Sequence, residues 1–214
     1  MIYNNYVREV FSKLVDKMGL EQTIINSVII VGVTLIYIYV TYNFISTRKR
    51  KNKQKKEVRS VVETTTMSAF FMGVAFIVNY NIGTFSYHNI YLVIIFLVVY
   101  IIGTMTNLLG RFYLGKNWGN NVIIYKDQTL VTNGVYKIVR HPLYASIIWM
   151  IYSIGVLKEN YLVFILNTFV FIPFMYYRAK QEETELRKEF KDYDEYIKKT
   201  GMFFPNVIKM FRKD

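Results

Sequence analysis

From Ile24 to Ile45 the chain runs 22 residues without a charged side chain. At about 1.5 Å per residue, a helix of that length covers the roughly 30 Å hydrocarbon layer of a bilayer. Backbone groups in hydrocarbon must satisfy their own hydrogen bonds, so the helix is the form such a run takes. Near-unbroken apolar runs follow at Ser60 to Ile82, Ile90 to Leu109, Leu143 to Leu157 and Tyr161 to Tyr177. With 53% hydrophobic residues and three prolines, the pattern predicts an all-α polytopic membrane protein of about five transmembrane helices, and no second soluble domain fits. The last two runs are short. The 15 residues from Leu143 to Leu157 make about 22 Å of helix, which reads as one arm of a tight helical hairpin. In the other arm Pro173 predicts a kink, and Asn167 needs a polar partner at mid-membrane.

The formal net charge of +12 is compatible with nucleic acid, but the basic residues flank apolar runs, where they set topology and meet anionic headgroups. No nucleic-acid partner is expected. The residues 48–59 hold eight Lys and Arg, 111–140 five and 178–213 ten, so 23 of 27 fall inside if the amino terminus is extracytoplasmic and the carboxy terminus cytoplasmic. With no cysteine, and with His88 and His141 far apart, neither thiolate chemistry nor a zinc spacing is present, and no metal is expected. Residues 6–18 place Val7, Val10, Phe11, Leu14, Val15 and Met18 at helical spacing between charges, which predicts a helix on the membrane surface ended by Gly19. No small-residue cleavage site follows the first run, so it reads as an uncleaved span. Gly103, Thr104, Thr106 and Asn107 in the third run favour helix packing. Alternation from Val122 to Val131 around Lys126-Asp127-Gln128 predicts a short interfacial hairpin.

The chemistry gathers at the hairpin's ends. Arg140-His141-Pro142 immediately precedes one short apolar run, and Glu182-Glu183 follows the next, so antiparallel arms return the acidic pair to the level of the basic one. Alone, Arg140-His141-Pro142 reads as a helix start with a snorkelling arginine, and the glutamates as solvated. Their phase argues otherwise. Tyr176, Ala179, Glu183, Leu186, Phe190 and Tyr193 recur at three- and four-residue steps, and a carboxylate on such an apolar stripe needs a cation. Glu182 lies on the face of Arg178, four residues away, and pairs with it.

These residues, with Gly134, Tyr136 and Tyr144, form L-V-x-x-G-x-Y-x-x-x-R-H-P-x-Y at Leu130 to Tyr144, E-E-x-x-L at Glu182 to Leu186, and Y-x-x-Y at Tyr193 to Tyr196 with a late Pro205. The set resembles the isoprenylcysteine carboxyl methyltransferase and phospholipid methyltransferase superfamily of integral-membrane enzymes that use S-adenosylmethionine. It departs at Val135, where proline is common, at Ser146, where glycine is common and a side chain would narrow the approach to the cofactor, and near Lys191. The prenylcysteine enzymes resemble one another in an arginine shortly before an L-G-x-x-[WF] element (Leu114 to Trp118 here); this chain has Asn107 there and offers Arg111 one turn later.

The resemblance implies a core at 110–214 behind an amino-terminal part, 1–109, of a surface helix and three spans. It implies S-adenosylmethionine as cofactor, bound by Tyr136, Arg140, His141, Pro142, Tyr144, Glu182 and Glu183, with Trp118 as a further contact. Glu183 would take the ammonium, and Arg140 or amides near Pro142 the carboxylate. His141, Arg178 and Arg111 are the candidate catalytic residues, His141 as proton acceptor. The expected acceptor is a lipid or a prenylated small molecule or protein within the bilayer, with a lean towards a lipid or prenyl-type small molecule over a prenylated protein, because a histidine suits an acceptor that must lose a proton, and with the prenylcysteine carboxyl as a close rival. Two alternatives remain: a non-catalytic scaffold or small transporter with the same fold, and a basic anchor using Arg48 to Arg59 on anionic lipid.

Overall fold

The computed structural model describes residues 2–48, 54–58, 61–117, 122–125 and 128–206. Trp118 and half of the basic loop, 49–53 and 59, lie outside the described residues. Helices dominate: α1 (Ile2–Arg48), α2 (Val61–Asn79), α3 (Ile90–Leu114), α4 (Pro142–Leu157), α5 (Tyr161–Leu166), α6 (Ile172–Glu189) and α7 (Tyr193–Lys199). Among the described residues three segments are long and apolar enough to cross a bilayer, Gly19–Asn43, Ile90–Asn117 and Tyr161–Glu189, and Thr66–Asn79 and Pro142–Leu157 are shorter apolar helices. Their outward faces stay apolar: Ile94, Ile95, Val98, Ile101 and Ile102 on α3 are exposed, as lipid contact requires.

Two local expectations are corrected. Gly19 does not end a surface helix, because α1 continues through it as one helix. A lone glycine costs a helix interior about 1 kcal/mol. Here nothing caps the chain, and Thr23 donates back to the Gly19 carbonyl at 2.8 Å. Of the expected hairpin from Val122 to Val131, Lys126 and Asp127 lie outside the described residues, and the described arms do not pair with each other. β2 (Val122–Tyr125) pairs antiparallel with β1 (Gln54–Val58), Lys56 opposite Ile124 and Val58 opposite Val122. The other arm is held elsewhere: the Thr129 amide donates to Asn117 Oδ1 at 3.2 Å, and Asn117 Nδ2 donates to Thr129 Oγ1 at 3.1 Å. Asn117 competes for the polar groups a hairpin would have used.

Packing is densest where small residues let helices approach. A Cβ on Gly103 would meet Met150 Cγ at 2.8 Å and one on Gly110 would meet Leu143 Cδ2 at 2.9 Å, so α3 lies close against α4. Buried Asn107 fastens the contact, donating to Ser146 Oγ at 2.8 Å and to the Leu143 carbonyl at 3.3 Å. Gly32 lets α1 approach Tyr100, whose hydroxyl donates to the Ile29 carbonyl at 2.9 Å.

The hairpin of α4 with α5 and α6 turns at Lys158-Glu159-Asn160. Asn160 caps α5 by accepting from the Val163 amide at 3.1 Å and reaches the Ile82 carbonyl at 2.9 Å. Asn167 finds its partner in the Ile148 carbonyl at 3.0 Å. The irregularity near Pro173 is a π-helical turn, Asn167–Phe171, between α5 and α6. Proline lacks an amide and crowds the carbonyl four residues back, and a widened turn accommodates both. Ile148, Ile151, Val163, Phe171, Met175 and Ala179 form the buried core of this hairpin, packed against Val74 of α2.

Candidate active site

The hairpin brings the basic and acidic motifs together. Pro142 opens α4 with His141 at its amino-terminal cap, and Glu182 and Glu183 sit at the end of α6 that returns to it. Arg140 Nε lies 2.9 Å from Glu183 Oε1, and His141 Nε2 lies 3.3 Å from the same oxygen. His141 Nδ1 faces Glu182 Oε2 at 3.5 Å. Tyr144 donates its hydroxyl to Glu182 and accepts from Arg178 Nε at 2.9 Å. The Tyr144 ring stacks on the His141 imidazole, centroids 5.6 Å apart and 6° from parallel.

Burial sharpens these contacts. Glu183 is 1% exposed and His141 6%, so neither charge is screened by water and each depends on its partners. Burial alone would favour the neutral imidazole. The hydrogen bonds and charges of Glu182 and Glu183 outweigh it and hold the His141 pKa above its ordinary 6.5. Both ring nitrogens thus face carboxylate oxygens, an arrangement that favours the protonated ring over the neutral one. Glu183 Oε2 is buried without a hydrogen-bond partner, with Lys180 Nζ at 3.8 Å.

Three expectations shift. Arg178 is buried, not exposed, and its 3.8 Å pairing with Glu182 includes Tyr144. Tyr176 is 51% exposed and leaves the stripe, whose inward positions are Met175, Ala179 and Glu183; α6 is turned by the π segment ahead of it. Ser146 faces α3 through Asn107, away from Tyr144, so it does not narrow the approach on the Tyr144 side.

Arg140 is occupied differently from a free anion ligand. Its Nη1 donates to the carbonyls of Thr200 and, at 3.4 Å, Ile197, so it satisfies the open carbonyls at the end of α7. The backbone joins in: the Arg140 amide donates to the Gly201 carbonyl at 2.8 Å and the His141 amide to Met202 at 3.1 Å. Tyr196 donates to the Tyr136 carbonyl at 2.6 Å. Tyr136 is buried between these segments and within electrostatic range of Glu182 and Arg111. Sequence reasoning missed this strap from Tyr193 to Phe203. The paired tyrosines and Gly201 were its signal: a Cβ on Gly201 would meet the Phe204 carbonyl oxygen at 1.7 Å.

Arg111 stands apart on α3. It is buried, and its Nε donates to Asn107 Oδ1 at 2.9 Å.

Residues 92–188 match the family model for the isoprenylcysteine carboxyl methyltransferase family. The chain is 34% identical over 116 residues to a probable protein-S-isoprenylcysteine O-methyltransferase of Oryza sativa subsp. indica, covering 52% of this chain and 60% of the relative. It is 32% identical over 82 residues to the cobalt-zinc-cadmium resistance protein CzcN of Cupriavidus metallidurans, covering 38% of each. The fold is similar to that of the eukaryotic intramembrane Ras methyltransferase ICMT, with a TM-score of 0.52 and 23% identity over 70% of this chain and 55% of that one. The matched segments thus span between 38% and 60% of the relatives' own lengths. The chain's resemblance to the isoprenylcysteine carboxyl methyltransferase superfamily, read from its motifs, is supported by the family model and the rice relative, while the solved structure shows the likeness of fold.

Proposed function

We propose that this protein transfers a methyl group from S-adenosylmethionine to a lipid or isoprenoid acceptor dissolved in the bilayer, through a core at 110–214 that opens to the cytoplasm. One observation carries the reading: Glu183 is buried at the meeting point of Arg140 and His141, yet its Oε2 accepts no hydrogen bond. A buried carboxylate oxygen left open suits an ammonium ligand.

S-adenosylmethionine supplies an electrophilic methyl on a sulfonium, together with an ammonium, a carboxylate and an adenine for recognition. Glu183 Oε2 takes the ammonium. The first-turn amides of α4 at Leu143 and Tyr144 receive the carboxylate, as helix amino termini do for anions. Arg140 works from behind, fixing Glu183 and the end of α7. Tyr136 and Tyr144 wall the site. His141 is protonated while both glutamates hold it, and accepts a proton from the acceptor only when a ligand cation on Glu183 weakens that hold. Methyl transfer needs mainly alignment and a dry site, which the buried cluster provides.

Calorimetry with S-adenosylmethionine in detergent, and radiolabelled methyl transfer to a total lipid extract, test the proposal. Saturable binding and labelled lipid are expected. A second reading, a scaffold or small transporter without catalysis, is favoured by the likeness to a metal-resistance protein. Absence of S-adenosylmethionine binding by the unmutated protein would decide for it.

A further inference from the structure

We propose that Asn107 is a positioning residue, whose carboxamide holds the Arg111 guanidinium at the level of the first turn of α4 and so sets the affinity for the acceptor's polar head. The inference rests on the methyltransferase reading but concerns different residues from those assigned to the cofactor.

Asn107 is fully buried. One amide nitrogen serves two acceptors on α4, Ser146 Oγ at 2.8 Å and the Leu143 carbonyl at 3.3 Å. Ser146 Oγ itself donates to the Leu143 carbonyl at 2.8 Å. The amide orientation is therefore fixed, because a flipped carboxamide would set its oxygen against a carbonyl. With nitrogen towards α4, Oδ1 can point only along α3, where it accepts Arg111 Nε at 2.9 Å. Gly103 and Gly110, one turn either side, bring the two helices close enough for so short a side chain to span them.

A long arginine side chain loses much rotamer freedom when fixed, and one fixed through Nε keeps a defined plane for its other nitrogens. That plane is delivered at the start of α4, because Gly110, the residue before Arg111, packs on Leu143 and Pro142, and Asn107 itself is bonded to the Leu143 carbonyl. Asn107 does not touch the reacting atoms. It acts through Arg111, while Ser146 acts only on the clamp between helices.

The test measures KM and kcat for N-acetyl-S-farnesylcysteine and, in parallel, for phosphatidylethanolamine in mixed micelles, alongside S-adenosylmethionine binding. Asn107→Leu is expected to raise the acceptor KM about tenfold, the worth of one hydrogen bond to a charged group, with cofactor affinity unchanged. Ser146→Ala keeps Asn107 Oδ1 on Arg111 and its amide nitrogen on the Leu143 carbonyl, so it should leave KM where it was. If Ser146→Ala is as impaired as Asn107→Leu, Asn107 is only a helix clamp and the proposal falls. The contact is also read without turnover, from a double-mutant cycle of melting temperature on Asn107→Ala and Arg111→Met. Additive effects there overturn the positioning role even in an active enzyme. A non-additive cycle in a protein that binds no S-adenosylmethionine and methylates neither probe overturns the proposed function instead.

Discussion

Glu183 concentrates the energetics of the site, since it is buried and doubly paired through one oxygen, while among the described residues the other accepts no hydrogen bond and has Lys180 Nζ at 3.8 Å. Glu183→Gln is expected to weaken S-adenosylmethionine binding about ten- to hundredfold, or about 1.5–3 kcal/mol, measured by calorimetry. Glu182→Gln leaves Arg178 buried and Tyr144 without its carboxylate, so it should also lower affinity rather than behave as a surface change. His141 makes the ligand-free protein sensitive to pH. Its folded pKa lies above its ordinary 6.5, so the stabilisation from its ion pairs is complete below that value and is lost as pH rises through the raised one. Melting temperature should fall with rising pH in that window, and His141→Gln should remove that part of the slope. Identical slopes in the two proteins would show that the imidazolium contributes nothing to stability.

At the scale of elements, the loop before Arg140 depends on one backbone conformation. Gly134 sits at φ +57, and a Cβ there would meet the Tyr113 ring at 2.2 Å. Gly134→Ala should destabilise the protein by about 1–3 kcal/mol from the left-handed backbone alone, before the clash is counted. Adding Tyr113→Ala should recover the clash but not the strain, which thermal melts of the single and double variants would resolve. Full recovery would mean that the conformation itself carries no penalty. The hairpin of α4 to α6 shows the converse case, a local irregularity that the fold absorbs. After the π turn and Pro173, α6 runs on as a regular helix with Met175, Ala179 and Glu183 inward and Tyr176 exposed.

For the molecule as a whole, the proposed orientation places five spans with an extracytoplasmic amino terminus. A chain without cysteine reports topology cleanly. A cysteine at Ser86, in the exposed loop between α2 and α3, should react with an impermeant thiol reagent on intact cells, and one at exposed Lys198 only after permeabilisation. The reverse pattern would invert the protein and move the cofactor entrance with it. The same orientation sends 23 of the 27 Lys and Arg to one side of the membrane, the side on which α7 and its strap close over Arg140.

Amino-acid order alone determined what depends on local chemistry and on the bilayer. Uncharged runs must be helices in lipid. Two arms separated by Lys158-Glu159-Asn160 must fold back, so Arg140-His141-Pro142 meets Glu182-Glu183. A mid-membrane Asn167 must find a partner. Tertiary structure decided what depends on competition between distant groups. Asn117 rather than a hairpin partner holds Thr129, which leaves β2 to strand β1 from another loop. The phase of α6 was set by a π turn whose extra residue shifts every later side chain. The occupation of Arg140 by the end of α7, and of Asn107 by Leu143 and Ser146, came from chain segments brought together only by folding. A hydrogen-bonding group takes whichever satisfied geometry the whole packing leaves it, and spacing along the chain cannot rank partners that lie 60 residues apart.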